Sequence, residues 1–247
     1  QAIDSTIAIK EKQIETIEQY FRSKLHEVVT GGLNPNVKRK PSGVDWIGEI
    51  ATLWRLGKFN QFVSIGSGQV DPAEEQYNEM ILIAPNHIQS GTGKIIYLET
   101  AKEQLADSGK FLCKKGDVIY SKIRPALNKV TIAPDDCLCS ADMYPFNGFN
   151  GLTNKFLFYF LLSDNFLRYS VLESDRVAMP KTNRQSLSKA YIPLPPLSEQ
   201  KAIAEYLDTL REKVESITKT LREQVEVLKD YRKSLIHECV TGKRKVV

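Results

Sequence analysis

From Ile192 to Leu207 the chain reads Ile-Pro-Leu-Pro-Pro-Leu-Ser-Glu-Gln-Lys-Ala-Ile-Ala-Glu-Tyr-Leu. Pro193, Pro195 and Pro196 fix φ and bias the residues before them toward extended backbone, so Ile192 to Leu197 forms a stiff extended exit from whatever precedes it. A helix then begins. Ser198 is expected as its N-cap, and Glu199 lies in the first turn, where a carboxylate counters the positive end of the helix dipole. The apolar stripe continues through Ile203, Leu207, Leu210, Val214, Ile217, Leu221, Val225, Leu228, Tyr231 and Leu235, mostly alternating steps of four and three as coiled coils do. The register shifts once, between Leu221 and Leu228, and Gly242 ends the helix after roughly 60 Å.

This helix has a twin at the other end of the chain. Tyr20, Ser23, His26, Glu27, Val29, Thr30 and Gly31 recur as Tyr231, Ser234, His237, Glu238, Val240, Thr241 and Gly242 at one constant offset. The same register pairs Ser5 with Ser216, Gln13 with Gln224, Glu15 with Glu226, and Ile3, Ile14, Ile17 and Leu25 with apolar partners. Ile3, Ile7, Ile14, Ile17, Phe21, Leu25 and Val28 give the first helix its own stripe, and Gly31, Gly32 and Pro35 stop it. A repeat this widely spaced is no solenoid period; it describes a globular domain plus helix, with the helix also present in front of the domain. Both stripes are surrounded by polar residues, so the helices are expected to pair antiparallel, with each other or with a second copy. A bare coil would need only the stripe, not the repeated Tyr, Ser, His-Glu and Thr-Gly.

The chain divides on this reading into a coiled-coil helix at 1–32, a basic linker at 33–43, a globular domain at 44–197 and a second coiled-coil helix at 198–247. Within the domain, β-rich runs at Phe59–Ile65, Met80–Ile83, Gly93–Tyr97, Asp117–Ser121, Val130–Ala133 and Met143–Phe146 are separated by Gly, Pro, Asn and Asp. Helical periodicity appears at Asn154–Leu162 and Asn165–Ser174. The expected fold is α+β: a globular, mixed or antiparallel β-rich domain flanked by two long coiled-coil helices.

Composition narrows the function. The chain has 247 residues and a net charge of +4, and the span 44–197 contains 16 basic and 16 acidic residues, so bulk charge identifies no partner. Local charge is uneven: Arg176, Lys181, Arg184 and Lys189 occur without an acid among them, as do Lys122, Arg124 and Lys129. Cys113, Cys137, Cys139 and Cys239 lack Cys-x-x-Cys spacing, so no metal site is expected and reduced thiols in a cytoplasmic protein are the reading. No apolar run approaches the roughly 20 residues that span a bilayer. Enzyme signatures are weak. Leu194-Pro195-Pro196-Leu197 lacks the amide and the aromatic of a methyltransferase loop, Gly66-Ser67-Gly68 is a turn, and Pro134-Asp135 has no convincing acidic-x-Lys partner for a nuclease. With His26 and His237 on helix ends and only His87 left, a catalytic triad is not expected either.

Four segments resemble a known family. They are Ser42-Gly43-Val44-Asp45-Trp46-Ile47-Gly48-Glu49-Ile50, Gly116-Asp117-Val118-Ile119-Tyr120-Ser121-Lys122-Ile123-Arg124, Met179-Pro180-Lys181-Thr182-Asn183-Arg184-Gln185-Ser186-Leu187, and Ile192 to Leu207. The chain is similar over essentially its whole length to the DNA sequence-specificity subunit of Type I restriction-modification enzymes. The resemblance implies a target recognition domain joined to conserved helices that space two half-sites of a bipartite target. It implies docking of methyltransferase subunits, which bring S-adenosylmethionine, and of restriction subunits through the complex. The chain itself is then expected to be non-catalytic and to bind no cofactor. Family members usually carry two recognition domains, so this chain reads as a half-size subunit or a C-terminal half, able to form a homodimer through its helices.

Reading base edges takes Arg or Lys for guanine and Asn or Gln for adenine, displayed on loops or a helix beside backbone contacts. Three polar segments offer these groups: Asn86, His87, Gln89 and Ser90; Lys122, Arg124, Asn128 and Lys129; and Lys181, Thr182, Asn183, Arg184 and Gln185. They are the candidate DNA-binding residues, expected to converge on one face. The alternative from another class is a coiled-coil adaptor whose globular domain binds protein.

Overall fold

The computed structural model describes residues 2–174 and 181–243. Arg176, Met179 and Pro180, which belong to the sequence patterns above, lie outside them. The chain separates into two compact units: residues 1–24 with 206–247, and residues 25–205. In chain order the elements are α1 (Ala2–Gly31), β1 (Arg39–Pro41), β2 (Glu49–Ala51), β3 (Arg55–Lys58), β4 (Val63–Ile65), β5 (Gln69–Val70), α2 (Glu75–Asn78), β6 (Leu82–Ile83), β7 (Lys110–Cys113), β8 (Val118–Ser121), β9 (Val130–Ile132), β10 (Cys137–Cys139), β11 (Met143–Gly148), α3 (Asn154–Leu162), α4 (Asp164–Ser174), α5 (Arg184–Lys189), β12 (Tyr191–Leu194) and α6 (Leu197–Val240). The fold is α+β, and in chain order the short strands fall between the two long helices.

In the first unit α1 and α6 run antiparallel. Asp4 pairs with Arg232, Glu11 with Lys229, Lys10 with Gln224 and Glu18 with Arg222, so residue numbers rise on one helix as they fall on the other. The sequence repeat shapes this pairing. Glu11 and Glu18 occupy the repeat positions of Arg222 and Lys229, so the pairs Glu11–Lys229 and Glu18–Arg222 become each other when the two helices are exchanged. The helix pair therefore has a pseudo-two-fold axis, near the equivalent residues Ile14 and Val225. Exposed ion pairs contribute only about 0.2–1 kcal/mol each, so apolar contact supplies most of the association. Ile7, Phe21 and Val225 are buried as the stripes predict. Ile217 is not: it is 49% exposed and Thr218 is buried in its place, because the stripe shifts register nearby. Ile9, Thr16, Ile17, Ile217 and Leu221 line an open apolar concavity of about 500 Å³.

The second unit explains the motifs residue by residue. Val44 accepts the Ile47 and Gly48 N–H groups in a turn that joins β1 to β2, and Gly48 takes a φ of 73°. That turn buries Ile47 and stacks Trp46 on Tyr169 at 4.8 Å. The Asp117 carboxylate accepts the Lys114 N–H and the Asn147 amide, closing the turn before β8. β8 and β11 form the centre of the four-stranded sheet β4-β11-β8-β9. A second sheet, β5-β7-β10-β6, holds the one parallel pair among the described strands, β10 with β6. Phe156 to Leu162 are all buried, so α3 is apolar on every side and forms the centre of the core. Phe59, Tyr120, Phe146 and Phe166 pack against one another at ring distances of 5.5–6.1 Å, and Phe166 meets Phe160 of α3 at 5.8 Å.

The exit segment is extended, as its prolines predict, and it is also paired. Tyr191–Leu194 is a strand, paired antiparallel with Arg55–Lys58. This two-stranded ribbon has an open edge, which suits Pro193, a residue without an N–H. Ser198 is not the N-cap, since α6 already includes Leu197 and the Pro196 carbonyl accepts the Gln200 N–H. Glu199 accepts the Trp54 indole N–H at 2.9 Å. Gln200, fully buried, donates to the Gly151 and Pro195 carbonyls and accepts from the Thr153 N–H and hydroxyl. The Glu-Gln pair thereby fixes the start of α6 to the loop that begins α3.

Cys113 and Cys137 face each other across β7 and β10, and Cys139 is buried beside them. The contact with Cys113, then burial, pushes the Cys137 thiol well above the usual range. A thiol reagent acts on the thiolate, so under native conditions it is expected to modify Cys239 first and to reach the other three only on unfolding. Mass spectrometry of briefly alkylated protein checks this; equal labelling of Cys137 would contradict it.

Candidate nucleic-acid interface

The strand β8 delivers Lys122 to Lys129 to the end of its sheet. Pro125–Leu127 forms a 3-10 turn flanked by Arg124 and Asn128, both left-handed at φ of 47° and 43°. Asn tolerates that conformation, and Asn128 is held there by its side-chain amide, which donates to Leu162 O at 2.8 Å from a buried position. Arg124 has no such excuse. A residue before proline is normally extended, so this strained arginine is over-determined by its surroundings, as at functional sites. Its guanidinium is exposed and has no hydrogen-bond or ion-pair partner among the described residues.

The segment after β6 is built around His87, whose ring is fully buried. Its Nδ1 accepts the Ala84 N–H at 3.2 Å, which leaves the proton on Nε2 to be donated to Glu99 at 3.2 Å. Tyr97 packs against the ring at 4.6 Å and its hydroxyl accepts from Asn86. Gln89 and Ser90 are exposed.

The third segment enters α5. Asn183 caps that helix by accepting the Ser186 N–H, and Thr182 is buried with its N–H on Lys122 O at 2.8 Å. Lys181 and Gln185 are exposed, and no side-chain hydrogen bond joins them to the described residues. Arg184 is committed: Nη1 donates to Ile65 O at 2.9 Å, Nη2 donates to Gly66 O, and the guanidinium sits 5.0 Å from the centre of the Tyr144 ring.

The three segments are stitched together. Thr182 bonds to Lys122, and Ile123 bridges Lys181. The Lys129 ammonium donates to Pro85 O at 2.6 Å, and the Gly91 N–H donates to Asn128 O at 3.0 Å. Sequence reading thus found residues that the fold brings into one continuous loop surface, but it mixed two kinds. His87, Asn128 and Thr182 are inside and hold the loops; Lys129 and Asn183 are tethered to backbone. Asn86, Gln89, Ser90, Arg124, Lys181 and Gln185 are exposed and not tied to backbone by their side chains, Arg184 is exposed but committed to two carbonyls, and Lys122 is half-buried. Tyr144 was not visible as a member. It is 8% exposed and takes both the Arg184 guanidinium and the Lys122 ammonium at 5.0 Å.

Chemically the surface offers cations, amides and hydroxyls. Among the described residues no carboxylate pairs with Lys122, Arg124, Lys181 or Arg184, and no group of three or more His, Cys, Asp or Glu could hold a metal. No described helix is long and apolar enough to cross a membrane.

Residues 53–227 match the family of the Type I restriction modification DNA specificity domain. The chain is 35% identical over 189 residues to the Type I restriction enzyme EcoDI specificity subunit of Escherichia coli, covering 76% of this chain and 42% of that protein. It is 28% identical over 258 residues to the MjaVIII specificity subunit of Methanocaldococcus jannaschii, covering 98% and 58%. It spans about half the length of these relatives. Among solved structures, one from work on complex assembly and conformational transition of the type I R-M system has a TM-score of 0.67 at 19% identity, over 96% of this chain and 55% of that one. The HsdS subunit from Thermoanaerobacter tengcongensis gives 0.58 at 18%, over 96% and 54%. These two likenesses establish the fold.

Proposed function

Since the chain belongs to the family of the Type I restriction modification DNA specificity domain, we propose that residues 25–205 read one part of a bipartite DNA target and direct the partner subunits to it. The observation that carries this reading is the stitching of three loops into one surface, with Arg124, Lys181, Gln89 and Gln185 exposed on it. Arginine, lysine and the side-chain amides are the groups that distinguish base edges in the major groove, while backbone phosphates fix the register.

The helix pair is the spacer and the docking surface. Its pseudo-two-fold axis presents similar residues twice, and its open apolar concavity beside Ile9 and Ile217 is a place for methyltransferase subunits to pack. Restriction subunits join through that complex. The chain performs no covalent step itself and needs no cofactor of its own; S-adenosylmethionine arrives with the methyltransferase, and the assembly acts on DNA in the cytoplasm. Pairing of two copies through the helices would supply a second reading domain.

Pulldown with a methyltransferase subunit and a duplex carrying the target tests the proposal. The duplex is expected to be retained only when this chain is present. Retention of methyltransferase without DNA would favour a protein-binding adaptor instead.

A further inference from the structure

By sequence, Gly66-Ser67-Gly68 is a turn and Arg184 a candidate reader of base edges. The structure rearranges both. The Arg184 fork is spent on the Ile65 and Gly66 carbonyls and its face on Tyr144, so the group best suited to a bidentate guanine contact is already occupied. Its bonds end on the turn. Gly66 is further pinned by its N–H on Pro145 O at 2.8 Å, and it lies so close to Pro145 that a Cβ there would meet the proline ring at 2.6 Å.

What the turn leaves open is donors. The Ser67 and Gly68 N–H groups donate to nothing among the described residues, both residues are exposed, and Gly68 is left-handed at φ of 83° with empty space where a side chain would stand. Successive free N–H groups with one residue in that conformation make an anion-binding concavity. Charge points the same way. The Lys122 ammonium and the Arg184 guanidinium share the Tyr144 ring, and neither has a carboxylate partner among the described residues. A cation without a carboxylate partner, tied to the turn through Gly66, beside two free donors matches a phosphate, and Lys122 shares that cation's aromatic ring.

We propose that the Gly66-Ser67-Gly68 turn is a fourth DNA-contacting segment, seating a backbone phosphate of the duplex, and that Arg184 is a positioning residue that holds the turn against the three loops. The proposal rests on the reading of residues 25–205 as a DNA-binding domain. In functional terms Arg184 sets register, and sequence discrimination falls to Arg124, Lys181 and the exposed amides.

The test is binding of a short random-sequence duplex to the full chain over a range of salt, because a phosphate contact is independent of sequence. Ser67→Asp places a negative charge in the seat. It is expected to weaken binding roughly tenfold and to lower the slope of log affinity against log salt by about one, with the unfolding transition unchanged. Arg184→Lys keeps the charge but cannot fork two carbonyls; it is expected to weaken binding to a similar degree, and little further when combined with Ser67→Asp. Unchanged affinity and slope for Ser67→Asp overturn the seat. Binding by Arg184→Lys equal to the unaltered chain, with Arg184→Ala weak, overturns the positioning role in favour of simple charge. If Arg124→Ala with Lys181→Ala binds a duplex carrying the target as well as the unaltered chain does, the DNA-reading surface itself is wrong; if that pair is weak on the target and Ser67→Asp is unchanged on the random duplex, only the fourth segment falls.

Discussion

Gln200→Leu is expected to lower folding stability by about 3 to 6 kcal/mol, a large share of the roughly 5 to 15 kcal/mol typical of a domain. Leucine nearly fills the same volume but makes none of the four hydrogen bonds. It would leave the Gly151 and Pro195 carbonyls and the Thr153 N–H and hydroxyl without their partner. A buried polar group left unmatched costs about 1 to 3 kcal/mol, and Thr153 recovers part of this through its cap on Phe156. The effect reaches the loop surface, because Thr153 caps α3 and α3 ends at Leu162, whose carbonyl holds Asn128. Urea denaturation monitored by Trp fluorescence measures the change. A loss under about 1 kcal/mol would mean that the Gln200 side chain is not buried among these groups.

The second large effect is on binding. Arg124→Ala with Lys181→Ala should weaken DNA binding by about 2 to 6 kcal/mol, or roughly thirtyfold at the least, while the fold is unaffected. Ile123 bridges Lys181, so the two side chains are near neighbours and their losses need not add. Arg124→Gly sharpens the test. Glycine relieves the left-handed φ of 47°, so stability should hold or rise by up to about 1 kcal/mol even as DNA affinity falls. A variant both less stable and weaker in binding would mark Arg124 as a structural residue.

The long helices were legible because their period is sustained over many turns; the constant repeat offset also fixed their equivalence, and antiparallel packing followed. α3 was legible to the residue, since Thr153 caps an unbroken apolar run. The strands were harder. Phe59–Ile65 divides into a 3-10 turn at Phe59–Gln61 and β4, because the Phe62 N–H bonds back to Phe59 O and closes a turn. Gly93–Tyr97 is no strand but meets its neighbour through the single bridge Ile88–Ile95. β7 and β10 were missed, because Lys110–Cys113 and Cys137–Cys139 lack a run of β-branched residues and their pairing is set by chain distant in sequence. The six residues of α5 were too few to show a period.

Within the loops, residue type was informative and orientation was not. Asn128 and Thr182 have the chemistry of base readers, yet their polar atoms serve the frame, and His87 is locked between Ala84 and Glu99. Nothing local in sequence separates an amide that faces a groove from one that braces a loop; that choice depends on where Leu162 or Tyr120 comes to lie. The Tyr144 platform depends in the same way on β11 passing beneath two loops far from it in sequence.

The most direct measurement is a map of methylated motifs in cells that carry the gene unaltered, deleted, or altered to Arg124→Ala with Lys181→Ala. One bipartite motif should be present with the unaltered gene, vanish on deletion, and be lost or relaxed in one half with the altered gene. The same motifs in all three would contradict the claim that these stitched loops read DNA sequence.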